Sequence, residues 1–338
     1  MSTLVTNESK YSISQYGMDM PIDALYKRLK DEDIIIPNFQ RGYVWKQNEA
    51  SRFIETILLR LPVPSIFLAK DKYTQKLIVV DGQQRLKTIM YFIDGKFQDG
   101  KKFKLNKVID EYNGLGFDDL SMADRREFLN TIVHAIVIYE DEESNAIYDI
   151  FERINTSGNP LQNQEIRKAV YHGPFDSLIT ELNNGNELWR EMYGEIDDRR
   201  RDEEAILRGL ALSFKLDSYD GKLKDFLNVF MLYNRIANSE RLYEFKQIFD
   251  KTINVIYHKM GKDAFRTSNK RFSMTLFDSI FPAVAINLLE GKEIIEKLSD
   301  TVNEITGSKE FQEFMRGSTT SRKSMLERIH LLKNQIGV

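Results

Sequence analysis

Leu77 to Val80 is an unbroken apolar run that stops at Asp81-Gly82, and an amphipathic run from Leu86 to Ile93 follows. Such a switch of pattern predicts strand, tight turn, helix. Around it the first half of the chain alternates. Pro21 to Lys30 reads as a short helix with Asp19 near its N-cap, and Ile34 to Ile36 as a β-branched run closed by Pro37. Ala50, Phe53, Ile54, Ile57, Leu58 and Leu61 recur at helical spacing, so Asn48 to Leu61 is a helix ended by Pro62 and Pro64. Ser65–Ala69 and Lys76–Val80 read as strands around a polar hairpin turn, Lys101–Leu105 as a further strand, and Ile132–Tyr139 as the clearest long one.

Beyond Ser144 the period becomes helical. It predicts helices over 145–154, 161–171, 175–182, 202–214, 223–236, 241–257, 273–289, 292–298 and 323–336. The turn-rich Thr156-Ser157-Gly158-Asn159-Pro160 places a domain boundary near residue 158. The expected fold is α+β over 1–158, then an all-α helical domain over 159–338.

The 338 residues, 42% hydrophobic and 29% charged, describe a globular chain with room for two domains. A net charge of −3 excludes a global nucleic-acid footprint, so DNA contact must rest on local patches. The absence of cysteine removes disulfides and thiolate metal sites and suits a reducing cytoplasm. No signal peptide and no apolar run of membrane-spanning length is seen, so the expectation is a cytoplasmic protein without a membrane partner.

The turn between the apolar runs carries the chemistry. A helix N-terminus favours anions, phosphates above all, through its first-turn N–H groups and dipole. Gly82 lets backbone approach a ligand, and Arg85 offers a bidentate grip on phosphate. A plain connecting turn with Arg85 in a surface ion pair fits the same residues, and the turn alone leaves both readings open.

Other clusters divide in the same way. Pro37 to Trp45 packs three aromatics around Arg41, as a base platform or as a loop tucked under the core. Glu152, Arg153 and Asn155, with Glu165 and Arg167 on the next helix, form either a functional cluster or a capped helix–turn–helix. Arg199-Arg200-Arg201 lies among acids, and Lys259 to Arg271 is the best local basic patch for a DNA backbone. Gly95 to Lys102 imitates a phosphate loop, but after a helix and without its Ser or Thr. The four histidines show no zinc spacing.

Taken together, Ile36–Trp45, Ile54–Pro64 and Asp81–Ile89 resemble the DUF262 domain, the N-terminal domain of GmrSD-type modification-dependent restriction enzymes. Phe151–Thr156, Leu161–Arg167, Arg200–Leu212 and Gly261–Arg266 resemble later family segments. The resemblance implies a ParB/sulfiredoxin-like fold and nucleotide hydrolysis, or nucleotide-gated action, in anti-phage defence. On that reading Asp81, Gln83, Gln84 and Arg85 act on the nucleotide, with Asp81 also holding Mg²⁺. Gln40, Arg41, Gly82, Lys87, Thr88, Arg153, Asn155, Glu165 and Arg167 bind or sense the nucleotide. GTP, ATP and CTP remain equally open. DNA is the expected partner, modified or phage DNA included, and self-association stays open. Family members often carry a C-terminal HNH nuclease domain of the DUF1524 type, and no matching histidine constellation is seen here. The expectation is therefore that a separate nuclease or effector subunit cuts. A non-enzymatic DNA-binding module and a nuclease with an unrecognised site are the rivals.

Overall fold

A computed structural model of the chain describes residues 13–37, 43–72, 74–140, 146–154 and 161–338. It divides into two compact units, 1–161 and 162–338.

The first unit runs β1 (Ile13–Pro21), α1 (Ile22–Lys30), β2 (Ile34–Ile35), α2 (Gln47–Leu58), β3 (Ile66–Lys70), β4 (Leu77–Asp81), α3 (Gln83–Ile93), α4 (Met122–Asn130), β5 (Ile132–Glu140) and α5 (Ala146–Ile154). Its strands form one mixed sheet in the order β1-β5-β3-β4-β2. The β1/β5 and β3/β4 pairs are antiparallel; β3/β5 and β2/β4 are parallel. Alternation along the strands sends Val133, Ala135 and Val137, Ile66 and Leu68, and Leu77 and Val79 to one face. That face is covered by the apolar stripes of α1, α2 and α3, through residues such as Leu25, Ile54, Leu86 and Ile89. Phe92 centres an aromatic cluster, with Phe103, Phe117 and Phe128 at 5.3, 5.8 and 5.5 Å. The amphipathic α5 packs against β5 and β4, with Tyr148 and Phe151 fully buried.

Three expectations need correction. Asp19 is not a helix cap: it lies in β1 opposite His134, and α1 starts after Pro21. A lone Lys96–Lys102 bridge replaces the strand expected at Lys101–Leu105; Phe103 and Leu105 are apolar there because they plug the core. The segment 292–298 is a turn with an Ile294–Gly337 bridge, and the helix begins only at Leu298.

The second unit is mostly helical, with isolated bridges at Arg266–Phe272 and Ile294–Gly337. It comprises α6 (Asn163–Val170), α7 (Pro174–Gly185), α8 (Glu187–Tyr193), α9 (Arg201–Lys215), α10 (Leu223–Asn234), α11 (Ser239–Met260), α12 (Met274–Leu289), α13 (Leu298–Gly307), α14 (Lys309–Phe314) and α15 (Arg322–Ile336). Helix α9 lies against α12 so closely that a Cβ on Gly209 would meet the Phe281 ring at 2.8 Å. No described helix is long and apolar enough to cross a membrane.

Candidate functional site

The β4–α3 turn is built as the polarity pattern predicts. Asp81 closes the strand, Gly82 is the helix N-cap, and Gln83 opens α3. Gly82 is required twice over. Its φ is 102°, which side chains disfavour, and a Cβ there would lie 2.5 Å from Cγ2 of Ile66. The N-terminal turn of α3 therefore starts directly against the Ile66 side chain of β3.

Arg85, one turn into α3, reaches back across this turn. Its Nη2 donates to Asp81 Oδ2 at 2.6 Å, and its Nη1 donates to the carbonyls of Pro64 and of Ser65, the latter at 3.0 Å. Arg85 is 14% exposed and Asp81 45%. Burial lowers the Arg85 pKa, and the Asp81 charge opposes that shift. Asp81 Oδ1 has no partner among the described residues. One guanidinium thus ties the strand end, the helix and the segment before β3 together, and the open carboxylate oxygen stays at the surface.

Gln84 and Thr88 hold the second cluster. Gln84 Oε1 accepts from the backbone N–H groups of Val44 at 3.0 Å and Trp45 at 3.4 Å. The Thr88 hydroxyl donates to the Gln84 carbonyl, so Tyr43 donates its own phenol proton to Thr88 Oγ1 at 2.7 Å. Tyr43 also packs edge-on to Tyr91, with ring centres 5.0 Å apart. Burial pushes its phenol up to about 12. The structure therefore joins the Pro37–Trp45 cluster to the Asp81–Arg85 turn through Tyr43, Val44 and Trp45. Gln40, Arg41 and Asn155 lie outside the described residues.

Lys87 sits on α3, half-buried, with no ion-pair partner among the described residues; burial lowers its pKa. Gln83 is half-buried at the first helical position, and Arg153 lies in the last turn of α5.

Glu165 and Arg167 belong to a buried ion network inside the helical unit. Glu165 accepts from the Gln162 N–H at 2.6 Å and faces Arg199 at 3.4 Å. Arg167, 1% exposed, donates to Asn228 at 2.8 Å and Glu204 at 3.0 Å. Arg208 bridges Glu204 and Asp278, and Lys168 joins Asp176 to Glu203. Burial raises the Asp278 pKa against the pull of Arg208 and Arg328. Of the Arg199–Arg201 run, Arg200 pairs with Glu203 and Arg201 with Asp197. In the Lys259–Arg271 patch, Arg266 is spent on the Met192 and Tyr193 carbonyls and Lys259 on Glu296, while Lys262, Lys270 and Arg271 are exposed.

Sequence reasoning singled out Gln84 and Thr88 but missed how they serve as anchors for the preceding loop. The signal was present only as two polar residues four apart on one helix face, which says nothing about a partner forty residues earlier.

The first unit is thus a mixed α+β domain whose Gly-capped strand–helix turn gathers an acid, an arginine and two amides. Residues 22–172 match the model of the GmrSD restriction endonuclease N-terminal domain. The matched segment begins at α1, leaving β1 outside it, and reaches through α6. No curated protein matches the chain.

Proposed function

We propose that the chain is the nucleotide-binding component of a restriction system that acts on DNA. The observation that carries the reading is the β4–Gly82–α3 turn. A helix opens there against a glycine that no side chain could replace, beside an aspartate with one open oxygen and a buried arginine. First-turn N–H groups and a cation at one point suit a phosphate. Asp81 would hold Mg²⁺, which is usually bound by one or two carboxylates together with substrate oxygens. Mg²⁺ held there would supply neutralisation of phosphate charge. Arg85 fixes the position of Asp81, and Lys87 brings to the same helix a cation without an ion-pair partner among the described residues. Gln40 and Arg41 complete the nucleotide contacts on this reading.

Hydrolysis is the leading outcome, because phosphoryl transfer requires positioning and charge stabilisation rather than a nucleophilic side chain. A second reading, binding that gates a partner without hydrolysis, is favoured by one observation. Gln84 and Arg85 both spend side-chain bonds on holding flanking segments. Phosphate release from ATP, GTP, CTP and UTP with Mg²⁺, with and without modified DNA, separates the two. Turnover by one nucleotide supports hydrolysis. Saturable binding without release supports the gate, and neither binding nor release overturns the nucleotide reading.

A further inference from the structure

The sheet of the first unit ends on β1 at one side and β2 at the other. The two edges differ. β2 is two residues long and offers little to pair with. β1 runs for nine residues, and its pairing with β5 continues from Ile13–Glu140 to Pro21–Ile132 without a bulge. It contains no lysine, and its one proline is the last residue. Its one charge, Asp19, is held by His134 at 2.7 Å. Most devices that blunt an edge strand are therefore missing from β1.

The phase of the ladder decides which backbone groups are left over. Just past the strand, the Ile22 N–H donates to the Thr131 carbonyl at 3.0 Å, in register with the β1/β5 pairs. Hydrogen-bonded pairs alternate with unbonded ones along an antiparallel ladder. The even-numbered residues of β1 thus bond to β5, and the N–H and C=O groups of Gln15, Gly17 and Asp19 point outward. All three residues are exposed, and their outward groups have no partner among the described residues.

We propose that β1 pairs antiparallel with β1 of a second copy of this chain, about a two-fold axis through Gly17. Two five-stranded sheets then become one. The choice of a second copy rests on self-complementarity in this register. Gln15 lies opposite the partner's Asp19, and Tyr16 opposite the partner's Met18. Asp19 Oδ1 takes the His134 ring N–H, and Oδ2 has no partner among the described residues, so it can accept from the partner's Gln15 amide. Glycine on the axis leaves no side chain to meet its own copy. No like charges meet, since Asp19 is the only charge on the strand. The neighbouring registers of the same phase are poorer. One sets Asp19 against the partner's Ile13, and the other sets Gln15 against the partner's Pro21, which has no N–H to give.

The test is sedimentation velocity of the full chain over a dilution series, with amide hydrogen exchange read at high and low concentration. Wild type should pass from dimer to monomer on dilution. In the dimer the Gln15, Gly17 and Asp19 amides should gain protection, while those of Tyr16 and Met18, already bonded to β5, should change little. Gln15→Glu places carboxylates opposite each other on both sides of the axis and should weaken the dimer about tenfold. Gln15→Lys should strengthen it by a similar factor. The side chain at 15 is exposed, so both variants should melt as the wild-type monomer does. A chain that stays monomeric at every concentration overturns the proposal. So does a dimer in which the two Gln15 variants behave alike, or one whose Gln15, Gly17 and Asp19 amides exchange as fast as in the monomer.

Discussion

Gly82 and Arg85 do different jobs within one turn. Gly82 provides backbone that no other residue could provide, and Arg85 converts the turn into a junction. Gly82→Ala combines a disfavoured φ with the overlap at Ile66, so a loss of about 3 kcal/mol in urea unfolding is expected. Adding Ile66→Ala should recover none of the backbone part but should relieve the overlap. A double mutant no better than the sum of the singles would mean that contact is not the cause. The importance of this turn was legible in the sequence, because an apolar run ending at Asp-Gly before an amphipathic run has few other meanings. The carbonyls that Arg85 grips were not legible. They lie some twenty residues earlier, and backbone acceptors leave no mark in residue types.

The Tyr43–Thr88–Gln84 chain decides how the loop before α2 meets α3. Tyr43→Phe removes one hydrogen bond and leaves Thr88 bonded to Gln84, for a loss of about 1 kcal/mol. It should also change the alkaline limb of stability. In the folded chain the phenol keeps its proton up to about 12, against 10.0 when unperturbed. A raised folded pKa means that this contribution is whole below the unperturbed value and is lost as pH rises through the folded one. Urea midpoints measured from pH 9 upward should therefore fall less in Tyr43→Phe than in wild type, and identical falls would remove Tyr43 from the account. Among elements, the long β5 and the main helices followed from periodicity. β1 was missed because Ile13–Pro21 is an edge strand whose pattern is only half apolar, and Asp19 imitated a cap. Lys101–Leu105 alternates like a strand, yet Phe103 and Leu105 alternate only to reach the aromatic cluster.

Across the whole molecule, charge is spent unequally. Many of the helical unit's charges are buried and paired. Among its described residues the first unit instead keeps an open carboxylate oxygen at Asp81 and a Lys87 without an ion-pair partner. The buried network explains Arg167 without a ligand. Arg167→Ala takes one of the two arginines from Glu204, which keeps Arg208, and strips Asn228 of its partner, so it should cost about 1.5–3 kcal/mol. Thermal unfolding measures that cost. A variant as stable as wild type would return Arg167 to the list of residues free to sense a ligand. The sequence showed charges in this region but not their depth, because Glu165 and Arg167 read the same on a solvated helix as in a sealed network.

The central claim is that the β4–α3 turn binds nucleotide phosphate. The most direct measurement is calorimetric titration of each Mg²⁺–nucleotide complex into wild type, Asp81→Asn and Arg85→Lys, with melting temperatures recorded alongside. Wild type should saturate with one nucleotide, and both variants should bind it at least about tenfold more weakly while remaining folded, a loss of about 1.4 kcal/mol or more. Affinity unchanged in two folded variants would contradict the account.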